Sequence, residues 1–208
     1  MIKIYIARHG ETIWNAEGRI QGRSDPELSP KGHAQGLALL EQLKERPLSA
    51  VYTSTLQRTI HTARHVAEYL KLPIRKQPEL DEIAFGILEG KQIPHLDGAT
   101  KIEWDRFKED RYTYHIPQAE NYTDVANRVQ PFVERILSLH QGEEILIVGH
   151  RVVNLMLIRT LTDYPPDEIS EIQQSNDCLY LIKRNGETEI HHYMNGEAGK
   201  GFLLRRAR

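Results

Sequence analysis

Short apolar runs alternate with longer amphipathic stretches along most of the chain. The apolar runs predict strands, because they are short and rich in aliphatic or β-branched side chains. The predicted strands cover residues 3–7, 50–54, 73–77 and 145–148, of which 73–77 is the weakest. The amphipathic stretches repeat apolar side chains every three or four positions and predict helices. The predicted helices cover residues 30–45, 56–70, 122–139 and 155–161.

Capping residues mark the ends of two of these helices. Ser29 before Pro30 is typical of an N-cap followed by proline at the first helical position. Thr123 is the expected N-cap of the helix at 122–139, and Gly142 is its expected stop signal.

A hairpin signal closes the pattern. Asn185-Gly186 separates two alternating stretches, 178–183 and 187–193, and predicts an antiparallel β-hairpin. The preceding alternation of strands and helices predicts an α/β fold. We expect a three-layer α/β/α sandwich, with a mostly parallel, doubly wound sheet and the hairpin at its C-terminal end. No repeat or linker divides the sequence, so residues 1–208 are expected to form one domain.

Composition narrows the classes of function. Hydrophobic residues make up 39% of the chain and the formal net charge is −2, which argues against a nucleic-acid partner. No stretch approaches the roughly 20 apolar residues that span a bilayer, and the apolar start is too short for a signal peptide. The single cysteine, Cys178, excludes an internal disulfide framework. We expect a cytoplasmic protein with no membrane partner.

Histidines follow two of the predicted strands at glycine-rich turns. His9 comes after the first strand and before Gly10, and His150 comes after the fourth strand and Gly149. Ligands of such sheets bind beyond the carboxyl ends of the strands. If these two strands are neighbours, both imidazoles reach one crevice, with Arg8 and Arg151 nearby. Cations oppose a zinc ion there but suit a phosphate group.

Four ordered motifs resemble one family. They are Arg8-His9-Gly10-Glu11-Thr12 followed by Asn15, the stretch 52–59 with Arg58, the stretch 80–86 with Glu89-Gly90, and Val148-Gly149-His150. In order and spacing they resemble the histidine phosphatase superfamily, the phosphoglycerate mutase-like proteins with an RHG signature. The resemblance covers roughly residues 1–190.

The resemblance implies a catalytic role for five side chains. His9 would be the nucleophile and form a phosphohistidine. Arg8 and Arg58 would hold the phosphoryl oxygens, and a protonated His150 would stabilise the transferring group. Glu82 would protonate the leaving alcohol and then deprotonate water. These groups replace a metal, so the resemblance implies no metal and no other cofactor.

Four further residues are expected to bind substrate. The resemblance implies a neutral donor on Asn15 and phosphate-facing donors on Gln21 and Gly22, and Arg151 lies beside the second histidine. Turn formation or N-capping would also explain Asn15 or Gln21.

Every one of these residues also has a structural interpretation. The arginines could form surface ion pairs, the histidines could bond to backbone, and Glu82 could be a loop carboxylate. The five catalytic candidates occur together, which favours the catalytic hypothesis. Other features do not support a different function: His61 and His65 lack a metalloprotease glutamate between them, residues 196–201 lack phosphate-loop spacing, and 205–208 is typical of a solvated basic tail.

The residues after Glu82 favour a phosphatase. Mutases of this family carry an arginine and a tyrosine there, whereas this chain has Ile83, Ala84 and Phe85. Water should therefore accept the phosphoryl group, as in a histidine acid-type phosphatase that is a phosphoric monoester hydrolase. Two alternatives stay open: a cofactor-dependent phosphoglycerate mutase, and a non-catalytic phospholigand-binding protein.

The insert at about 92–121 is expected to form a partly helical lid over the site. Its acidic and basic side chains nearly cancel, and Trp104 and Phe107 are expected to pack inward. A small phosphorylated metabolite is therefore a more plausible substrate than a bisphosphate. The family often has Gly-Gly-Glu-Ser here, and this chain has Gln118-Ala119-Glu120-Asn121. A homodimer is compatible with the sequence.

Overall fold

A mixed β-sheet of seven described strands forms the centre of the protein. The structure is a computed structural model and describes residues 1–194 and 196–204, so the predicted basic tail at 205–208 lies outside the described residues. The strands are β1 (Ile2–Arg8), β2 (Leu48–Thr53), β3 (Ile74–Lys76), β4 (Glu144–Gly149), β5 (Leu179–Asn185), β6 (Glu187–Met194) and β7 (Glu197–Lys200). Their order across the sheet is β3-β2-β4-β1-β5-β6-β7.

Helices cover both faces of this sheet. They are α1 (Ile13–Ala16), α2 (Pro30–Leu43), α3 (Gln57–Leu70), α4 (Gly98–Glu109), α5 (Tyr122–Leu139) and α6 (Arg151–Thr162). The side chains of β1 alternate between two cores: Tyr5 packs with α2 and α3, and Ile4 and Ile6 pack with α5 and α6. The predicted three-layer α/β/α sandwich is confirmed.

Strand β1 lies at the centre of the topology. It pairs in parallel with β4, where Arg8 is opposite Gly149, and it pairs antiparallel with β5. Strand β2 is parallel to both β4 and β3. The carboxyl ends of β1, β4 and β2 therefore meet at one edge of the sheet, where the predicted site residues follow them.

The C-terminal part extends further than the sequence indicated. The predicted hairpin is present as β5 and β6, and Gly186 in its turn has a positive φ of 81°. A further strand, β7, pairs antiparallel with β6. The short glycine-containing stretch gave no strand signal, and the edge of β6 supplies the hydrogen bonds that order it.

Several element boundaries differ from the prediction. The N-cap of α5 is Asn121, whose side chain accepts from the Asp124 amide at 3.0 Å, and not Thr123, whose hydroxyl donates to the Tyr112 carbonyl at 2.7 Å. Helix α6 begins at Arg151, directly after β4. Single 3-10 turns form at Pro78–Leu80 and Gly86–Leu88, on either side of Glu82.

The insert packs through its aromatic side chains. Helix α4 buries Phe107, whose ring contacts those of Phe85 and Trp104, with centroids 5.7 and 6.0 Å away. This agrees with the expected inward packing and fixes the insert against the loop that follows Glu82. Among the described residues, no helix combines the length and apolar character needed to cross a bilayer.

Candidate active site

Two buried imidazoles meet at the carboxyl ends of β1 and β4. The His9 amide continues the strand pairing and donates to the Gly149 carbonyl at 2.9 Å. The ring centroids of His9 and His150 are 5.1 Å apart, and the two residues are 2% and 0% exposed. The predicted adjacency of the two histidines is therefore present, and it follows from the parallel pairing of their strands.

The tautomer of His9 is set by the backbone. Its Nδ1 lies 2.7 Å from the Gly10 carbonyl oxygen, which can only accept, so Nδ1 carries the proton and Nε2 keeps its lone pair. Burial, and then the charges of Arg8 and Arg58, hold the pKa of His9 well below its usual range. The ring is therefore neutral at neutral pH, which is the form that can act as a nucleophile.

Side chains from distant segments hold the backbone around His9. The Gly10 amide donates to the Thr62 hydroxyl of α3 at 2.8 Å, and the Asn176 side chain donates to the His9 carbonyl at 2.6 Å. A Cβ on Gly10 would lie 2.4 Å from the Gly32 carbonyl oxygen of α2. Gly10 is required for this close approach of the loop to the helix.

Arg8 is anchored on the segment before β5. Its Nη1 donates to the Gln174 carbonyl at 2.9 Å. The Gln174 side chain in turn accepts from Asn154 of α6 at 3.1 Å, and Asn154 also donates to the Ala7 carbonyl at 3.0 Å. This network fixes the Arg8 guanidinium beside the end of β1.

Arg58 is almost fully buried, with 1% exposed, at the start of α3. Its guanidinium donates to the carbonyls of Gly22, at 2.8 Å, and Ser24, and it lies 3.4 Å from an Asp25 carboxylate oxygen. Asp25 also accepts from the Gln57 amide at 2.6 Å and so caps α3 from another loop. We call residues 22–25 the clamp turn, because they hold this guanidinium.

His150 has the opposite tautomer to His9. Its Nδ1 lies 3.2 Å from Arg58 Nε, which can only donate, so the proton is on Nε2, 2.8 Å from the Ser54 hydroxyl. Burial, followed by the charges of Arg58 and His9, holds the pKa of His150 well below its usual range. The ring is therefore neutral at neutral pH, whereas the resemblance implies a protonated His150.

Glu82 completes the group of predicted catalytic residues. It is 8% exposed, and one of its carboxylate oxygens accepts from the next amide, Ile83, at 3.0 Å. Burial lowers the pKa of Arg58, and the carboxylates of Glu82 and Asp25 act in the opposite direction. Glu82 therefore lies within electrostatic range of the arginine, at the same edge of the sheet.

Three of the four predicted binding residues, Asn15, Gln21 and Gly22, have hydrogen-bond partners within the protein. The side-chain oxygens of Asn15 and Gln21 both lie near Thr12: Asn15 accepts from its amide at 3.1 Å, and Gln21 from its hydroxyl at 3.0 Å. Gly22 has a positive φ of 54° and offers its carbonyl to Arg58. Arg151 begins α6, and its Nε is buried with no hydrogen-bond partner among the described residues.

The insert keeps a glycine-like backbone at Gln118, although its sequence departs from the family pattern. Gln118 has φ of 65°, in the left-handed region that favours glycine. Glu120 nevertheless reaches the loop after Glu82, where its carboxylate accepts from the Ala84 amide at 3.0 Å. The acidic residue of the pattern is thus retained together with a glycine-like backbone.

Several residues around the site were missed by the sequence reasoning. Ser54 and Glu89 lie inside motifs that were recognised, so their positions were available although their contacts were not. Asp25 and Asn176 carry no local signal, because their partners Arg58 and His9 lie 33 and 167 positions away. Within residues 1–194 and 196–204, no group of three or more metal-ligating side chains could hold a metal ion.

Comparison with known proteins places this geometry in a family. Residues 4–196 match the family model described as the histidine phosphatase superfamily (branch 1). A curated relative from Erwinia tasmaniensis, named "Probable phosphoglycerate mutase GpmB", is 31% identical over 183 residues, covering 88% of this chain and 85% of the relative. Phosphoserine phosphatase 1 of Hydrogenobacter thermophilus is 32% identical over 152 residues, covering 73% of this chain and 72% of that protein.

A solved structure supports the same relationship. Bacillus stearothermophilus YhfR superposes with a TM-score of 0.83 at 33% identity, covering 95% of this chain and 98% of that one. The resemblance carried by the four motifs is therefore confirmed across sequence and fold. This chain belongs to the histidine phosphatase superfamily.

Proposed function

We propose that the protein is a metal-independent phosphomonoesterase that hydrolyses a small phosphorylated metabolite through a phosphohistidine on His9. The observation that carries this proposal is the tautomer of that ring: Nδ1 donates to the Gly10 carbonyl, so Nε2 holds a lone pair in a buried, cationic site. The charges of Arg8 and Arg58 compensate the phosphoryl oxygens, as metal ions do in other phosphoryl-transfer sites.

The reaction proceeds in two displacements. His9 Nε2 attacks phosphorus, the P–O bond to the alcohol breaks, and Glu82 gives its proton to the leaving oxygen. Water then attacks the phosphohistidine, Glu82 takes a proton from that water, and the P–N bond breaks to release inorganic phosphate. The enzyme returns to its starting protonation state, and both steps use the same carboxyl group.

His150 takes part through its protonation. When the ring is neutral, its Nδ1 accepts from Arg58 Nε. A phosphate dianion brings opposite charge into the site and raises the pKa of His150, which favours a proton on Nδ1. Arg58 and His150 then both donate to the anion, and Ser54 keeps the ring in place through Nε2.

The loop after Glu82 supports water as the acceptor. Ile83 is fully buried and the Phe85 ring packs against Trp104 and Phe107, so neither side chain offers a polar contact to a second phosphorylated acid. Relatives named phosphatases include phosphoserine phosphatase 1. Phosphate esters of small metabolites are the proposed substrate class.

A second candidate is a phosphoglycerate mutase, because the relative from Erwinia tasmaniensis carries that name. The two functions differ in the acceptor of the phosphoryl group. Incubation with 3-phosphoglycerate and 2,3-bisphosphoglycerate, followed by phosphorus NMR, separates them. Exchange between the 2- and 3-isomers faster than phosphate release would establish the mutase and overturn the phosphatase proposal.

The nucleophile provides the direct test. His9→Ala is expected to lower kcat for 4-nitrophenyl phosphate by more than about 10³-fold. An acid-labile, base-stable phosphoryl label should form on the wild-type protein after rapid quench and be absent from this variant. His33→Ala, which changes an exposed histidine of α2, is the matched control. Retained turnover and labelling in His9→Ala would place the nucleophile elsewhere.

Metal independence has its own test. Dialysis against EDTA followed by assay in metal-free buffer is expected to leave kcat/KM within about twofold, because guanidinium groups supply the positive charge. Loss of activity that Mg²⁺ or Zn²⁺ restores would contradict this part of the proposal.

A further inference from the structure

Three consecutive amides of the loop after Glu82 each donate to a different carboxylate. Ile83 donates to Glu82 itself, Ala84 to Glu120 at 3.0 Å, and Phe85 to Glu89 at 3.0 Å. Charge-assisted bonds of this kind fix a backbone more firmly than bonds between neutral groups. Carboxylates therefore set the path of the loop that carries the proposed general acid. Glu89 follows this loop by a few residues, and Glu120 belongs to the insert.

Glu89 also reaches the clamp turn. Its Oε1 accepts from the Arg23 amide at 3.1 Å, and its Oε2 accepts from the Ser24 amide at 3.0 Å and the Ser24 hydroxyl at 2.8 Å. With Phe85, four donors converge on one carboxylate. A Cβ on Gly22 would lie 2.1 Å from Glu89 Oε1, so the glycine leaves the room that the carboxylate occupies.

The clamp turn connects this carboxylate to the arginine. Its amides at Arg23 and Ser24 point to Glu89, and its carbonyls at Gly22 and Ser24 accept from the Arg58 guanidinium. The negative charge on one side orients the peptide dipoles toward the cation on the other. Glu89 therefore contacts both the clamp turn, which holds Arg58, and the loop that carries Glu82. It acts on these two side chains indirectly, through the backbone of the turn and of the loop.

We propose that Glu89 is a positioning residue that fixes the clamp turn, which holds Arg58, relative to the loop that carries Glu82. The inference rests on the proposed function, since it assigns Arg58 to anion binding and Glu82 to proton transfer. An amide cannot replace the carboxylate, because an NH₂ group would face amide donors where an oxygen accepts now. The clamp turn and the Glu82 loop should therefore both become more mobile when the Glu89 charge is removed.

The test compares two isosteric variants. Glu89→Gln is expected to lower kcat/KM for 4-nitrophenyl phosphate by about 10- to 100-fold and to raise the inhibition constant for inorganic phosphate by at least about tenfold. It should also slow alkyl phosphates more than 4-nitrophenyl phosphate, because their leaving oxygens need the Glu82 proton. Glu120 also accepts from the Ala84 amide of the Glu82 loop, but it reaches the clamp turn only through the exposed Arg23 side chain, at 3.1 Å, and not through the turn's amides. Glu120→Gln should therefore leave the phosphate inhibition constant within about threefold.

Controls separate positioning from folding. Glu41→Gln removes an exposed carboxylate of α2 that pairs with Lys44, and it should match the wild type in every assay. Hydrogen exchange at the amides of Arg23, Ser24 and Phe85 should be faster in Glu89→Gln than in the wild type. If Glu89→Gln does not fold, Ser24→Ala removes one of the four donors and should raise the phosphate inhibition constant by about threefold.

The outcomes are distinct. Wild-type activity with unchanged kinetics in a folded Glu89→Gln, or in Ser24→Ala where the first variant does not fold, would overturn the inference. Equal weakening of phosphate binding in Glu120→Gln would also overturn it, because loss of any nearby negative charge would then be sufficient. An inactive wild type would contradict the proposed function instead, and the exchange rates at the three amides would still decide the role of Glu89.

Discussion

Arg58 Nε donates to His150 Nδ1 across 3.2 Å. The guanidinium of α3 therefore fixes which nitrogen of this buried imidazole accepts. The bond requires a neutral His150 ring, because a protonated Nδ1 could not accept from Arg58. The opposite assignment holds at His9, where Nδ1 carries the proton. The His9 tautomer is the one that the proposed nucleophile needs, and the proposed mechanism adds a proton to His150 when an anion binds.

These tautomers can be observed directly. We expect long-range ¹H–¹⁵N NMR at pH 7 to show a proton on Nδ1 of His9 and on Nε2 of His150, because a carbonyl accepts at the first ring and a guanidinium donates at the second. Addition of inorganic phosphate should protonate both nitrogens of His150. A doubly protonated His150 without any anion at pH 7 would contradict the assignment.

Buried neutral histidines make stability depend on pH. The folded-state pKa values of His9 and His150 lie below their unfolded values near 6.5, so the folded chain binds fewer protons and loses stability as pH falls through that value. Each ring contributes up to about 1.4 kcal/mol per pH unit below pH 6.5. The free energy of unfolding in urea, measured from pH 7.5 to 5.5, should decline accordingly.

His9→Gln should reduce that pH dependence without abolishing it, because His150 and the partly buried His61, whose pKa values are also lowered, remain. The exposed His33→Gln should leave the slope unchanged. Stability that is independent of pH in the wild type over this interval would show that the two rings are not held neutral by the fold.

Glu82→Gln should discriminate between leaving groups. An alkoxide is a poor leaving group and needs a proton, so kcat/KM for alkyl phosphates should fall by about 10² to 10⁴-fold. For 4-nitrophenyl phosphate the loss should be much smaller, because the phenolate leaves without protonation. Equal losses for both ester classes would argue against an acid role for Glu82.

Gly10→Ala should destabilise the protein through a steric conflict. The added Cβ would lie 2.4 Å from the Gly32 carbonyl oxygen, and that atom belongs to helix backbone that moves little. We expect a loss of about 1–3 kcal/mol in the free energy of unfolding, together with reduced activity because His9 is adjacent. Chemical denaturation measures the first effect, and unchanged stability would mean that α2 can retreat from the loop.

The strands and helices that were predicted correctly have sequence signals that lie within a few residues of each other. Apolar runs at 3–7 and 145–148 became the central strands, and Ser29 before Pro30 begins α2 as expected. The predicted N-cap of α5 was wrong because Asn121 and Thr123 are both good capping residues. The structure distinguishes them, since Asn121 accepts from the Asp124 amide and the Thr123 hydroxyl donates to the Tyr112 carbonyl. Strand β7 depends on its partner β6, which no local pattern records.

By itself, the sequence determined the order of strands and helices and the identity of the residues at the strand ends. Hydrophobic periodicity and turn chemistry act over a few positions, so they can be read along the chain. Tertiary structure alone decided which ring nitrogens carry protons and which carbonyls hold Arg58. Those contacts join residues such as Ser24 and Glu89, 65 positions apart, and such distances close only when the sheet brings its carboxyl ends together.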